Sequence, residues 1–216
     1  MKNILLALFT FLLLIEGSIG QAYVITSDSS ICSGSMVTFS ANIAPVAGAV
    51  QIGSFYGGGV VGYIYQPGDQ RYVDGQTHGI IAALSDQNTG LAWGCYGQAI
   101  GFTSNAIGLG LNNTNAIVAG CDGAGYAALL CYNLDLNGFT DWHLPSLNEL
   151  QQIYNNRTLI DSTALANGGS NLTYTAGYWS SSEFSAGNAW SIYFGSGLAY
   201  ASSKNDGYAV RAIRSF

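Results

Sequence analysis

Helical periodicity in this chain is confined to one central stretch flanked by strand-like sequence, and that confinement restricts the fold more than any other feature. From Tyr56 onward the pattern is short, apolar and glycine-punctuated: Val60-Val61-Gly62-Tyr63-Ile64-Tyr65, a Pro67-Gly68-Asp69 turn, Gly79-Ile80-Ile81-Ala82-Ala83-Leu84, then Gly90-Leu91-Ala92-Trp93. After Thr114, Ala116 to Ala119 and then Ala127, Leu129, Leu130 and Leu134 follow a helical pattern broken at Gly123 and Gly125, which predicts two short helices. Pro145-Ser146-Leu147-Asn148-Glu149 predicts another helix start. Ser146 can accept the Glu149 N–H while the Glu149 carboxylate reaches back, as in a capping box. Leu147, Leu150, Ile153 and Tyr154 then share a core face, Asn148, Gln151 and Gln152 face water, and Asn155-Asn156 ends the helix. Strand pattern returns at Tyr178–Ser181, Ala189–Phe194, Leu198–Ser202 and Tyr208–Arg214. In the second of these, Trp190, Ile192 and Phe194 alternate with Ser191 and Tyr193. The order of strands, helices and strands predicts an α+β domain: small mixed or antiparallel sheets, with two to three short helices in the middle of the chain.

The N-terminus sets the expected compartment. Lys2 precedes an apolar run from Ile4 to Ile15, and Ser18-Ile19-Gly20 supplies small residues where a signal peptidase cuts, so residues 1–20 read as a cleavable signal peptide. A retained anchor is the competing reading; no later stretch is long and apolar enough to span a membrane. Residues 21–50 read as a lead-in, with one strand at Met36–Ser40 and a linker at Ala44–Ala49, and residues 51–216 as the main domain. A secreted or cell-surface location follows. Charged residues make up only 8% of the chain, the formal net charge is -6 and no basic cluster occurs, which argues against nucleic acid and heparin-like polyanions as partners. Cys32, Cys95, Cys121 and Cys131 give an even count. In an oxidising compartment that reads as two disulfides of undetermined connectivity, although Cys32 could equally stay free. No C-x-x-C pair exists and His78 and His143 lack ligand spacing, so no metal site and no cofactor are expected.

Several blocks together carry a family resemblance. Gly90-Leu91-Ala92-Trp93, Leu136-Asn137-Gly138-Phe139-Thr140-Asp141-Trp142-His143-Leu144-Pro145-Ser146-Leu147-Asn148-Glu149-Leu150, Tyr178-Trp179-Ser180-Ser181-Ser182-Glu183, Ala189-Trp190 and Val210-Arg211-Ala212-Ile213-Arg214 resemble, in order and spacing, the C-terminal domain of the Legionella collagen-like adhesin over residues 55–216. The resemblance implies a C-type-lectin-like fold, in which helices and small sheets support long loops, and adhesion or ligand recognition rather than catalysis. This chain departs from the named adhesin in lacking a Gly-x-y repeat and in being acidic, so the fold carries over and the ligand does not. Residues 184–208, with Trp190, Phe194 and Lys204 as fixed-looking anchors, also resemble the variable region of retroelement-diversified lectin-like proteins.

No catalytic set is apparent: H-E-x-x-H, P-loop and G-x-S-x-G are all absent, and Gly195-Ser196-Gly197 reads as a hairpin turn. His143 beside Asp141 reads as a structural histidine near the surface, and Asp141 and Glu149 as turn and cap residues. Trp93, Trp142, Trp179 and Trp190 are expected to fill the core. The candidate ligand-binding residues are Glu183, Asn188, Tyr193, Tyr200, Asn205, Asp206 and Tyr208, which combine aromatic faces with amide and carboxylate groups and form one patch if the last strands are neighbours. Glu183 with Asn188 offers too few oxygens for a calcium site. The sequence thus reads as a non-enzymatic module that binds a glycan or protein on another surface. The alternatives are a retroelement-diversified receptor-binding protein, a polysaccharide-acting enzyme using an acid pair such as Glu183 and Asp206, and a domain capping a larger assembly.

Overall fold

The structure is a computed structural model that describes residues 50–216. The signal segment, the Met36–Ser40 strand, the linker and Cys32 lie outside the described residues. Among the described residues nine strands form two sheets. The first contains β1 (Phe55–Tyr56), β2 (Gly59–Ile64), β3 (Gly79–Ala82) and β9 (Ile213–Ser215), in the order β1-β2-β3-β9 and antiparallel throughout. The second contains β4 (Asn88–Leu91), β5 (Gly177–Glu183), β6 (Asn188–Tyr193), β7 (Leu198–Ser203) and β8 (Tyr208–Val210), in the order β4-β8-β5-β6-β7. Only the β5–β8 pair is parallel.

The helices of the described residues all fall between β4 and β5, as the sequence pattern predicts for an α+β chain: α1 (Gly110–Gly120), α2 (Ala127–Tyr132), α3 (Leu147–Asn155) and α4 (Arg157–Ala166). Helix α3 ends at Asn155-Asn156 as expected, and the described residues hold four helices rather than two to three because α4 starts immediately after it. Asn156 is at once the C-cap of α3 and the N-cap of α4, and its Nδ2 donates to Gln152 O and to Gly62 O, fixing the bend between them. The stretch Tyr208–Arg214, read as one strand, is likewise two. β8 and β9 belong to different sheets, and Arg211 and Ala212 carry the chain between them. Arg211 is 1% exposed; its Nε meets Asp86 at 2.6 Å and its Nη1 donates to Ala83 O. A positive charge survives there because Asp86 neutralises it and backbone carbonyls take its remaining donors.

Sheet one is covered on both faces. Val61 and Ile81 join a cluster with Ile117, Ala127, Ala128, Trp93, Trp142 and Trp179, while Val60, Ile80 and Ile213 join a second cluster with Leu150, Ile153, Ile160, Ala164 and Phe194. Burial on both faces explains the unalternating Val60-Val61 and Ile80-Ile81 pairs. Gly62 lets α3 approach this sheet: a Cβ there would overlap the Ile153 side chain, and the β2–β3 register shifts at the same point. Trp93, Trp142 and Trp179 fill the core as expected, each satisfying its Nε1–H on a carbonyl, of Ser180, Leu136 and Leu91 respectively. Trp190 departs from that expectation. It is half-buried, with Phe184 packed edge-on against it at 5.1 Å.

Candidate functional site

The second half of β5 is a row of small polar side chains, and each one pins a loop. Ser180 Oγ donates to Trp190 O, Ser181 Oγ accepts from Asn113 Nδ2, and Ser182 Oγ donates to Ser104 O while accepting the Leu147 N–H that opens α3. Glu183 comes next. Its carboxylate accepts the N–H groups of Ile100 and Gly101, both at 2.9 Å, and pairs with Lys204 Nζ at 2.6 Å. Lys204 is fully buried; it also donates to Gln98 O and lies 4.6 Å from the centre of the Trp93 ring. Burial alone would raise the Glu183 carboxyl, but the bonds from Lys204, Gly101 and Ile100 outweigh it and hold the pKa below the usual carboxylate range. The start of the same loop is tied by the Cys95–Cys121 disulfide, and Gln98 Nε2 donates to Gly120 O at the end of α1.

The capping box at α3 forms as predicted, with Ser146 N–H donating to Glu149 Oε2 at 2.7 Å and Glu149 N–H to Ser146 Oγ at 3.3 Å. Glu149 also accepts the Gly108 N–H at 2.8 Å, so one carboxylate holds both the helix start and the far end of the loop. Desolvation raises its pKa against the opposing pull of those backbone bonds.

What this anchored loop displays is aromatic. Phe102 is 89% exposed between Gly101 and Thr103, and both neighbours are bound to Glu183: Gly101 through its N–H and Thr103 by accepting the Glu183 N–H. Phe184 follows Glu183 directly and is 57% exposed, and Tyr96 beside the disulfide is 60% exposed. Phe184 falls within the expected 183–208 patch, whereas Phe102 and Tyr96 were not singled out from the sequence. The signal was an isolated aromatic in a Gly- and Ser-rich stretch, as in Gly101-Phe102-Thr103-Ser104.

The seven candidate residues divide by position. Tyr193 and Tyr200 are exposed on one face of the β6–β7 hairpin, where the Ser191–Tyr200 and Tyr193–Leu198 pairings make them diagonal neighbours beside exposed Leu198. Asn188, at the other end of the hairpin, donates to Ala201 O. Asn205 and Asp206 are exposed in the turn that leaves β7. Tyr208 stands apart from these: β5 and β6 lie between β7 and β8, so β8 does not adjoin the hairpin, and its half-buried ring packs against Trp179 at 4.7 Å. Glu183 is a strut beneath the surface. With its oxygens taken by Lys204 and two N–H groups, it is not free for calcium, and among the described residues no three His, Cys, Asp or Glu gather as metal ligands. His143, expected near the surface, is 1% exposed.

A family model described as the Lcl C-terminal domain matches residues 82–214, which include the pinned loop, the four helices and β5 to β8. The chain belongs to the Lcl C-terminal domain family. Within that domain the disulfide joins Cys95 to Cys121, while Cys131 is a fully buried thiol whose pKa is pushed up by desolvation. Among solved structures the chain is similar to a fimbrial protein from Bacteroides ovatus ATCC 8483, with a TM-score of 0.50 and 19% identity over 65% of this chain. The match spans 36% of that fimbrial protein. No functionally curated protein matches the chain.

Proposed function

We propose that this protein is an exported, non-enzymatic surface module of C-type-lectin-like fold that recognises a glycan or protein on another surface through residues 183–208 and the adjoining loop. The observation that carries this reading is a rigid polar frame beneath exposed aromatic rings. Every hydroxyl and carboxylate of Ser180–Glu183 is engaged inward, while Phe102, Phe184, Tyr193 and Tyr200 stand outward. Aromatic rings on a fixed scaffold bind apolar and sugar C–H faces at low entropic cost. Membership of the Lcl C-terminal domain family and likeness to a protein titled as fimbrial both support a surface role. Among the described residues no helix is long and apolar enough to cross a membrane. The engagement of Glu183 by Lys204 weighs against its use as half of a glycosidase acid pair with Asp206.

The test is binding of the purified protein to a broad glycan array with and without calcium. Calcium-independent binding to one glycan class is the expected result, and a blank array under both conditions removes the glycan arm. One observation favours the diversified-receptor reading: within 184–208, exposed Phe184, Tyr193, Tyr200, Asn205 and Asp206 are interleaved with buried Ile192, Phe194 and Lys204. Such a pattern tolerates surface change over fixed anchors. A near-copy template repeat and a reverse transcriptase gene flanking this gene would support it, and their absence would end it.

A further inference from the structure

One recess of the domain has no residue of 183–208 in its lining. It is a cavity of about 470 Å³ whose lining includes Tyr65, Arg71, Val73, Leu111, His143 and Phe216. Two of its polar groups are left without protein partners. Three ion pairs are formed among the described residues, by Lys204, Arg211 and Arg214, and Arg157 stacks on Tyr154. Arg71 does neither. Its Nε donates to Gly108 O at 2.8 Å, which aims the guanidinium, and its Nη groups have no partner among the described residues.

His143 is the second such group. Its Nδ1 lies 3.1 Å from Asp141 O, and a carbonyl only accepts, so Nδ1 carries the proton and Nε2 offers a lone pair with no partner among the described residues. Burial holds the imidazole pKa down to about 4, so the ring is neutral near pH 7. Asp141, also at the rim, is already neutralised by a two-pronged pair with Arg214, at 2.7 and 3.0 Å. Tyr65 and Ser215 share one hydrogen bond at 3.0 Å, which leaves one of their two O–H hydrogens to donate elsewhere.

We propose that this cavity is a binding site for a sugar acid of the uronate class, with the carboxylate on the Arg71 guanidinium and an adjacent ring hydroxyl donating to His143 Nε2. A forked cation matches a carboxylate, a neutral imidazole acceptor demands a donor beside it, and Val73, Leu111 and Phe216 supply apolar wall for the C–H face of a ring. Phosphate fits poorly. It offers no C–H face to Val73, Leu111 and Phe216, and as the dianion it brings more negative charge than one guanidinium balances, on a chain of net charge -6. The inference is independent of the surface at 183–208.

The experiment is an NMR titration of the purified protein with D-glucuronate, with D-glucose and inorganic phosphate as comparison probes. Glucuronate is expected to produce saturable shifts at residues 65–78 and at His143, with the other two probes producing none. Arg71→Gln should weaken binding by about tenfold or more, the usual size of a charge-assisted hydrogen bond. Arg71 also anchors Gly108, so Val73→Trp is the second variant: Val73 is 44% exposed on the recess wall, and an indole there should narrow the recess and weaken binding with the fold retained. Lack of saturation at tens of millimolar glucuronate, equal shifts from glucose or phosphate, or unchanged affinity in Val73→Trp would each overturn the assignment.

Discussion

Replacing Lys204 by methionine keeps the length of the side chain and removes the charge that holds the 98–101 loop to β5. The native ammonium is fully buried, 2.6 Å from a Glu183 carboxylate whose side chain is 8% exposed, and it also donates to Gln98 O at 2.9 Å. Removing one partner of a buried ion pair costs about 3–5 kcal/mol, because the remaining charge is left uncompensated. Glu183 keeps the Ile100 and Gly101 N–H groups, which places the expected loss near the lower end, about 3 kcal/mol. For a domain of this size that corresponds to a fall in Tm of roughly 6–12 °C. Chemical denaturation of the wild type, Lys204→Met, Glu183→Gln and the double variant would measure both the cost and the coupling. The double variant is expected to lose less than the sum of the singles, since neither charge is then stranded. Hydrogen exchange should report faster opening at Ile100 and Gly101 in Lys204→Met. A loss below about 1 kcal/mol, the range of solvent-screened pairs, would mean that water already reaches the pair and that the rigid frame is wrongly described.

Other perturbations test other parts of the molecule. The folded pKa of His143, about 4, lies below its unfolded value near 6.5, so the unfolded chain takes up the proton first. Its contribution is therefore complete above pH 6.5 and is lost as pH falls toward 4. That loss is about 3 kcal/mol in wild type and should vanish from the pH slope of a His143→Gln variant; matching slopes would contradict it. Gly62→Ala should destabilise by about 1–3 kcal/mol through overlap with Ile153, whereas Gly90→Ala, which meets nothing within 4 Å, should lie within about 0.5 kcal/mol of wild type in the same denaturation assay. Removing the disulfide with Cys95→Ser and Cys121→Ser opens a bridge of sequence separation 26, an expected loss of about 3.5 kcal/mol; a Tm indifferent to reductant would refute the pairing.

The parts of this fold legible in sequence are those set by local chemistry. The α3 start was readable because Ser146 and Glu149 satisfy each other within one helical turn. The strands were readable from apolar runs between glycines. Asn156 could not be read as a junction, because the group that fixes its bend, Gly62 O, is 94 residues away. Nor could the break at Arg211, which depends on where Asp86 ends up. The same limit governs the site. Tyr193 and Tyr200 share a hairpin whose pairing follows from their own sequence, so their proximity was foreseeable. Glu183 looked like a ligand group because Lys204, Ile100 and Gly101 meet it only in three dimensions, and Tyr208 left the patch because β8 docks beside β5 rather than β7. Phe102 gave no periodic signal, since its exposure is imposed by the clamp on either side of it.

The most direct test of the proposed recognition surface compares wild type with a Tyr193→Ala/Tyr200→Ala variant against whichever array glycan or surface protein the wild type binds, using surface plasmon resonance. Both rings are exposed, so near-UV circular dichroism of the buried tryptophans should be unchanged, and affinity should fall by at least tenfold, the loss of about 1.4 kcal/mol or more expected from two aromatic contacts. Undiminished affinity in a folded double variant would contradict the assignment of recognition to residues 183–208.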